Sequence, residues 1–244
     1  MIKKRLNELA DKYNIKSFEI KDPIQFPKKF SKRQDIEISA LLTSVITWGK
    51  RDMILRNCEK LHSMMNHQPY RFIMSKEWQK FENSDVNIHR TFFERDLYVI
   101  CKGLHTYYSN HETLEELFEN DIQNGLYELF MLFESKHVGN PAKNSACKRS
   151  NLFLRWLVRK DGIVDIGIWK KIDESKLIIP LDTHVSRIAR SIWDDIPKSN
   201  SMRTALYITE RLSELNPDDP CVYDFALFGW GEEGYKNHLN ENYL

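Results

Sequence analysis

Lys148 and Asp182 lie 34 residues apart (182 − 148), each at the start of a segment with helical periodicity. Lys148 opens "KRSNLFLRWLV" directly after a loop-like stretch. A first-turn position sets its amine near unpaired N–H groups and the positive end of the helix dipole. That is a poor place for a structural cation and a useful one for a nucleophilic amine. Asp182 follows the very apolar run "KLIIP" and begins "DTHVSRIARSI", where Val185, Ile188, Ala189 and Ile192 recur at core-facing spacing. An amine and a carboxylate presented at two helix N-termini could attack an electrophilic carbon and manage the charge that develops. Taken singly, the residues have plainer roles. Asp182 would be a helix cap, Lys148 an exposed basic residue and His184 a partly buried first-turn histidine.

Charge is concentrated around the lysine. From Ser135 to Lys160 there is no Asp or Glu, yet the window carries Lys136, Lys143, Lys148, Arg149, Arg155, Arg159 and Lys160. Within the helix there, Leu152, Phe153, Trp156 and Leu157 predict a core face. Lys148, Asn151, Arg155 and Arg159 share the opposite one. A cationic row unrelieved by acids predicts contact with phosphate, and a solvated helix face is the alternative.

The elements that must position these groups are helices. Apolar periodicity predicts helices over residues 35–48, 52–65, 92–108, 124–135, 147–159, about 183 onward, and 201–215. Thr113 predicts a cap for "LEELF", with Glu116 completing a capping box. A last helix has Asp219 as cap, Pro220 in its first turn and Gly229 at its stop. Alternating strand-like runs are scarce, so the predicted class is all-α. The expected organisation is one helical domain over 1–244, with two lobes at about 35–135 and 136–235 plus the N-terminal segment and a cleft between them.

Composition bounds the rest. The chain has 244 residues, 41% hydrophobic and 12% aromatic, which excludes a disordered chain. A formal net charge of +1 leaves any nucleic-acid footprint local. "MIKKRLNELADKYNI" lacks the apolar core of a signal peptide, and no apolar run could span a bilayer, so a cytoplasmic protein with no membrane partner is expected. Cys58, Cys101, Cys147 and Cys221 are scattered without a CxxC pair. Free buried thiols are expected, with no zinc site, iron–sulfur cluster or other metal or cofactor.

"IIPLDTHVSRIARSI" resembles the catalytic-aspartate segment of the helix-hairpin-helix DNA glycosylases, which include endonuclease III and the 8-oxoguanine glycosylases. "CKRSNLFLRW" is similar to the Lys-x-x-Asn helix start of their bifunctional members, with Lys148 and Asn151 in register. "EISALLTSVITWGKRDMILRNCEKL" resembles their long buried helix, the loop that touches the opened duplex and the helix after it. "RTFFERDLYVICKGLHTYY" resembles the helix before the hairpin, and "DPCVYDFALFGWGEEGY" the closing helix. The chain also resembles, over nearly its whole length, a bacterial family of uncharacterised proteins sharing "LIIPLDTH". Two departures stand out. The hairpin glycines are replaced by "NPAKNSACK", with Gly139 the only glycine nearby, and the four-cysteine cluster of endonuclease III is absent. The Lys–Asp spacing is long, as in the archaeal 8-oxoguanine glycosylases.

The resemblance implies a two-lobed, monomeric glycosylase-like bundle acting on damaged duplex DNA with AP lyase activity. Lys148 would attack the sugar C1′ and Asp182 would stabilise charge at the sugar. Lys143, Arg149, Asn151, Arg155, Arg159, His184 and Arg187 would contact nucleic acid, and Trp48 or Trp230 would stack on the flipped base. A non-catalytic nucleic-acid-binding protein of the same fold is the alternative, and the basic helix could instead serve a protein partner. The discriminating geometry is whether Lys148 and Asp182 face one cleft or stand well over about 10 Å apart, beyond the reach of any direct contact.

Overall fold

The computed structural model describes residues 1–233. Ten α-helices carry the described chain: α1 (Ile2–Tyr13), α2 (Arg33–Val45), α3 (Arg51–Met64), α4 (Pro69–Met74), α5 (Glu94–Tyr108), α6 (Ile122–Phe133), α7 (Lys148–Val158), α8 (Thr183–Ile192), α9 (Met202–Leu215) and α10 (Tyr223–Glu233). Short 3₁₀ turns link them. The sheet content is one antiparallel pair, β1 (Asn87–His89) and β2 (Phe92–Phe93). The class is all-α. No described helix is long and apolar enough to cross a membrane. The last two residues of the quoted closing stretch, Gly234 and Tyr235, lie outside the described residues.

α2 is the central strut. Every residue from Ile36 to Val45 is buried, so it has no solvent face, and α7 packs along it. One polar side chain on α2 ties distant segments together. Glu37 is fully buried, and its Oε1 accepts from the Thr113 hydroxyl (2.5 Å) and Trp169 Nε1 (2.8 Å). Its Oε2 accepts from the Tyr108 hydroxyl (2.7 Å) and Leu114 N (3.0 Å). Burial pushes this carboxyl up, and the four donors draw it part of the way back. At the other end of the chain, α1 packs on α10, and α10 on α8. One connected set of buried residues runs from Leu6 to Leu227.

Three boundaries differ from expectation. α2 ends at Val45, and Ile46–Trp48 form a turn that leads to Gly49 at φ +105°. "LEELF" is a 3₁₀ turn, where Thr113 accepts from Glu115 N and Glu116 turns away to His111 (2.7 Å). Gly229 does not stop the last helix, which continues to Glu233. Its missing side chain makes room for a partner: a Cβ there would lie 2.3 Å from the Tyr13 ring. Asp219 does cap its turn, accepting from Val222 N at 3.1 Å.

Candidate active-site cleft

The N-terminus of α7 is set by an irregular loop in place of a glycine hairpin. Gly139, Asn144 and Cys147 all have positive φ (+93°, +60° and +46°), and Cys147 is the residue that precedes the helix. Two side chains from the helix tie the loop down. Ser150 Oγ donates to Val138 O (2.8 Å) and Asn151 Nδ2 to Ala146 O (3.0 Å). Asn151 is fully buried. Its work is to close the loop behind Lys148, and the expectation that it touches nucleic acid is corrected.

The N-terminus of α8 is reached through the buried run Leu177–Leu181. Asp182 uses its two oxygens differently. Oδ1 accepts from Val185 N (2.8 Å) as the helix cap, while Oδ2 lies 3.5 Å from Lys148 Nζ. The carboxylate is therefore both a cap and one half of a polar pair. The Lys148 side chain is about one-third exposed (35%) and that of Asp182 only 10%. The amine is thus open to a ligand from one side.

Both groups line one cleft of about 370 Å³. Its walls come from the turn after α2, the N-termini of α7 and α8, helix α10 and the 3₁₀ turns after α1. Phe18, Phe225 and Phe228 supply apolar surface, and Asp22, Arg51, Arg155 and Asp224 supply charge. Asp224 was not singled out by sequence reasoning, because in "CVYDFALF" it reads as helix body. Its signal was there: an acid flanked by core residues on a buried helix must find a partner inside. That partner is Arg155, whose Nη1 donates to Asp224 Oδ2. Burial pushes the Asp224 carboxyl up to about 6; Arg155 opposes this and Asp182 adds to it.

The basic face of α7 is not a surface. Arg155 is 4% and Arg159 1% exposed. Arg155 also pairs with Asp165 (3.3 Å). Arg159 meets Asp219 through Nε and Nη2 (3.0 and 2.8 Å), and its Nη1 meets Asp161 (3.0 Å) and Asp165 (2.5 Å). Both guanidiniums also lie near the Phe225 ring. A buried arginine demands acceptors, and these four carboxylates fall just outside the acid-free window or far along the chain. Phosphate contact by Arg155 and Arg159 is therefore corrected to internal ion pairing.

The remaining predicted contacts divide. Arg149 Nη1 donates to Val45 O (3.1 Å) and Nη2 to Lys136 O (3.3 Å), and its guanidinium lies 4.9 Å from the Trp48 ring. It braces the end of α2. Trp48 lines the cleft but is already packed by His137 (5.7 Å, stacked), His89 (4.6 Å, edge-on) and Arg149. His89 Nε2 also bonds Trp48 O at 2.8 Å. The ring is held as a wall, not as a free stacking platform. Trp230 is absent from the cleft lining and sits 5.8 Å from the Arg5 guanidinium on the α1 side. His184 lines the cleft edge-on to Phe228 (5.6 Å). Arg187 Nη2 donates to Gly231 O (2.6 Å). Lys143 is exposed in the loop before α7 and outside the cleft.

All four cysteines are buried free thiols. Among the described residues no group of three or more His, Cys, Asp or Glu side chains could hold a metal ion. No curated protein and no solved structure matches the chain. Residues 22–233 match a family described as "Protein of unknown function (DUF2400)". With most of its length in that match, the chain belongs to this family.

Proposed function

We propose that the protein is a base-excision enzyme, a DNA glycosylase with lyase activity, in which Lys148 is the nucleophile and Asp182 its electrostatic and proton-accepting partner. The observation that carries this reading is the 3.5 Å approach of Lys148 Nζ to Asp182 Oδ2 at the wall of an open cleft. A part-exposed lysine–aspartate pair beside a cavity contributes little to stability. It has chemical value if an electrophilic carbon sits between amine and carboxylate.

In the reaction, a damaged nucleotide is turned out of the duplex into the cleft. Asp182 stabilises positive charge growing on the sugar as the C1′–N bond breaks, and the base leaves with that bond's electron pair. Asp182 accepts a proton from Lys148 Nζ, and the freed amine adds to C1′. A second Nζ proton passes to the departing base, and the proton on Asp182 goes to O4′ as the sugar ring opens. Ring opening gives a Schiff base between Nζ and C1′, from which the 3′ phosphate departs by β-elimination. With Arg155 and Arg159 turned inward, Lys143 and the residues at the cleft rim are left to meet the backbone.

Borohydride trapping on a duplex with an abasic site tests the reading. Wild type should form a covalent adduct, and Lys148→Ala none. Asp182→Asn keeps an oxygen for Val185 N and should fold, yet form the adduct about 100-fold more slowly. Intact DNA binding with no adduct on any substrate would refute the enzyme and favour the binding protein.

A further inference from the structure

The cations that line the cleft are already matched. Arg51 meets Glu232 (2.8 Å), Lys148 meets Asp182 (3.5 Å) and Arg155 meets Asp224. A phosphate finds no spare positive charge inside. The spare charge sits at the rim, around the Trp48 turn. His89 and His137 both pack on the Trp48 ring, and the chain neighbour of each is an exposed cation, Arg90 and Lys136. Neither of these side chains has a hydrogen bond or an ion-pair partner among the described residues.

Both cations stand on anchored backbone. Arg90 is a left-handed residue (φ +52°) in the β1–β2 turn, and Asn87 Nδ2 donates to its carbonyl (2.6 Å). Buried His89 ties the turn to Asn57 Nδ2 and to Trp48 O (2.8 Å each), and Lys60 Nζ donates to Asn87 O (2.9 Å). The guanidinium lies over Gly49, which lines the cleft: a Cβ at Gly49 would come within 2.8 Å of Arg90 Nη1. The backbone of Lys136 is held through its carbonyl, which accepts from Arg149 Nη2 (3.3 Å). Burial pushes both imidazoles down. Arg90 adds to this at His89, and Arg149 and Lys136 add to it at His137 against the opposing pull of Asp96. The two rings share one tryptophan, so the two charges bear on one stretch of the rim.

We propose that Arg90 and Lys136 hold two backbone phosphates of the strand whose nucleotide enters the cleft. The proposal rests on the DNA reading above and deepens it, by naming the cations that grip the strand in place of the inward-turned face of α7. Unpaired cations on anchored segments, beside an opening whose own cations are spent, suit a polyanion that stays at the rim while an uncharged base goes in. Arg90 offers a fork that matches phosphate oxygens, and Lys136 a point charge.

Fluorescence anisotropy tests this on the full chain, with a duplex bearing a tetrahydrofuran abasic analogue that forms no Schiff base, between about 50 and 200 mM salt. Arg90→Gln and Lys136→Gln should each lower affinity about 5–10-fold at about 0.1 M salt, and each should flatten the slope of log affinity against log salt by about 0.9. The double variant should flatten it by about 2. Arg90→Lys keeps the charge and should keep the wild-type slope. Lys170→Gln, at an exposed lysine of a separate pocket, should change neither quantity. Unchanged thermal melts show that the variants fold. A wild-type slope in the double variant, an equal loss in Lys170→Gln, or no binding by wild type at about 50 mM salt would overturn the proposal. Borohydride trapping separates this result from the enzyme reading. A Lys148 adduct, with wild-type binding by the double variant, refutes the phosphate pair alone. A slope lost with the two cations, but no adduct on any substrate, upholds the pair and refutes the enzyme.

Discussion

Glu37→Gln removes one charge and one acceptor from the node that joins α2 to the Thr113 turn and to Trp169. Each carboxylate oxygen faces one hydroxyl and one N–H: Thr113 and Trp169 on Oε1, Tyr108 and Leu114 on Oε2. A hydroxyl can turn and accept from the new amide, but an N–H cannot. Whichever way the amide is placed, Trp169 Nε1 or Leu114 N is left facing a donor in a fully buried site. An orphaned buried donor costs about 1–3 kcal/mol, and the other bonds weaken as the acceptor loses its charge. Relief from burying that charge offsets part of this, because burial already pushes the Glu37 carboxyl up. Protonation is the milder change, since a carboxyl's hydroxyl oxygen can still accept where an amide nitrogen cannot. The net is about 2 kcal/mol, or about 6 °C in Tm for a chain of this size. Urea unfolding of wild type, Glu37→Gln and Tyr108→Phe measures it, with the last losing about 1 kcal/mol. A Glu37→Gln protein within about 0.5 kcal/mol of wild type would show that the four-donor geometry does not govern this site.

Asp224 gives a pH signature. Its carboxyl rises from 3.8 to about 6 in the folded protein, so the native state holds this proton more tightly than the unfolded chain. Stability from this group is therefore complete below pH 3.8 and falls as pH rises to about 6, by about 3 kcal/mol at about 1.4 kcal/mol per pH unit. Unfolding free energies across that window should slope less steeply in Asp224→Asn than in wild type, and equal slopes would contradict the assignment. Gly229→Ala forces a methyl to 2.3 Å from the Tyr13 ring at the α1–α10 contact. It should lower stability by about 1–3 kcal/mol, and an unchanged thermal melt would mean the two helices separate freely.

Helix positions were legible because burial imposes a 3.6-residue period on the chain, and α3, α5, α6, α7, α8 and α9 fall within two or three residues of that reading. Their ends were less so. Gly229 carries the local chemistry of a stop, yet the helix passes through it because Tyr13, over 200 residues earlier (229 − 13 = 216), occupies the space a side chain would fill. α2 stops before Trp48 because His89 and Arg149, from two later segments, hold the carbonyls of Trp48 and Val45. Neither cause is local, so neither could be read locally.

The site was legible where a residue's role is set by its own helix terminus, and obscure where it is set by a distant partner. Lys148 and Asp182 are first-turn and cap residues, and the tied loop before α7 and the buried run before α8 bring both to one cleft. Arg155 and Arg159 belong to an acid-free window, and an acid-free window looks like a surface that attracts phosphate. The window is acid-free only along the chain. In space it is crowded by Asp161, Asp165, Asp219 and Asp224. This inversion bears on the choice between an enzyme and a binding protein. Both readings took DNA affinity from a long cationic face, and a protein without chemistry has only that affinity to act by; two of that face's four members are spent on internal carboxylates while a third, Asn151, closes a loop. Every cation withdrawn from the phosphates flattens the salt dependence of DNA binding by about one power of salt concentration. A protein that grips DNA through Lys143 and a few rim residues should bind weakly and with a shallow salt slope, of about 2–3 and not 6 or more. Such a slope, measured by titrating duplex against the full chain, suits a cleft that acts on a flipped base; a slope of about 6 or more would restore the cationic face and show that these arginines turn outward on binding.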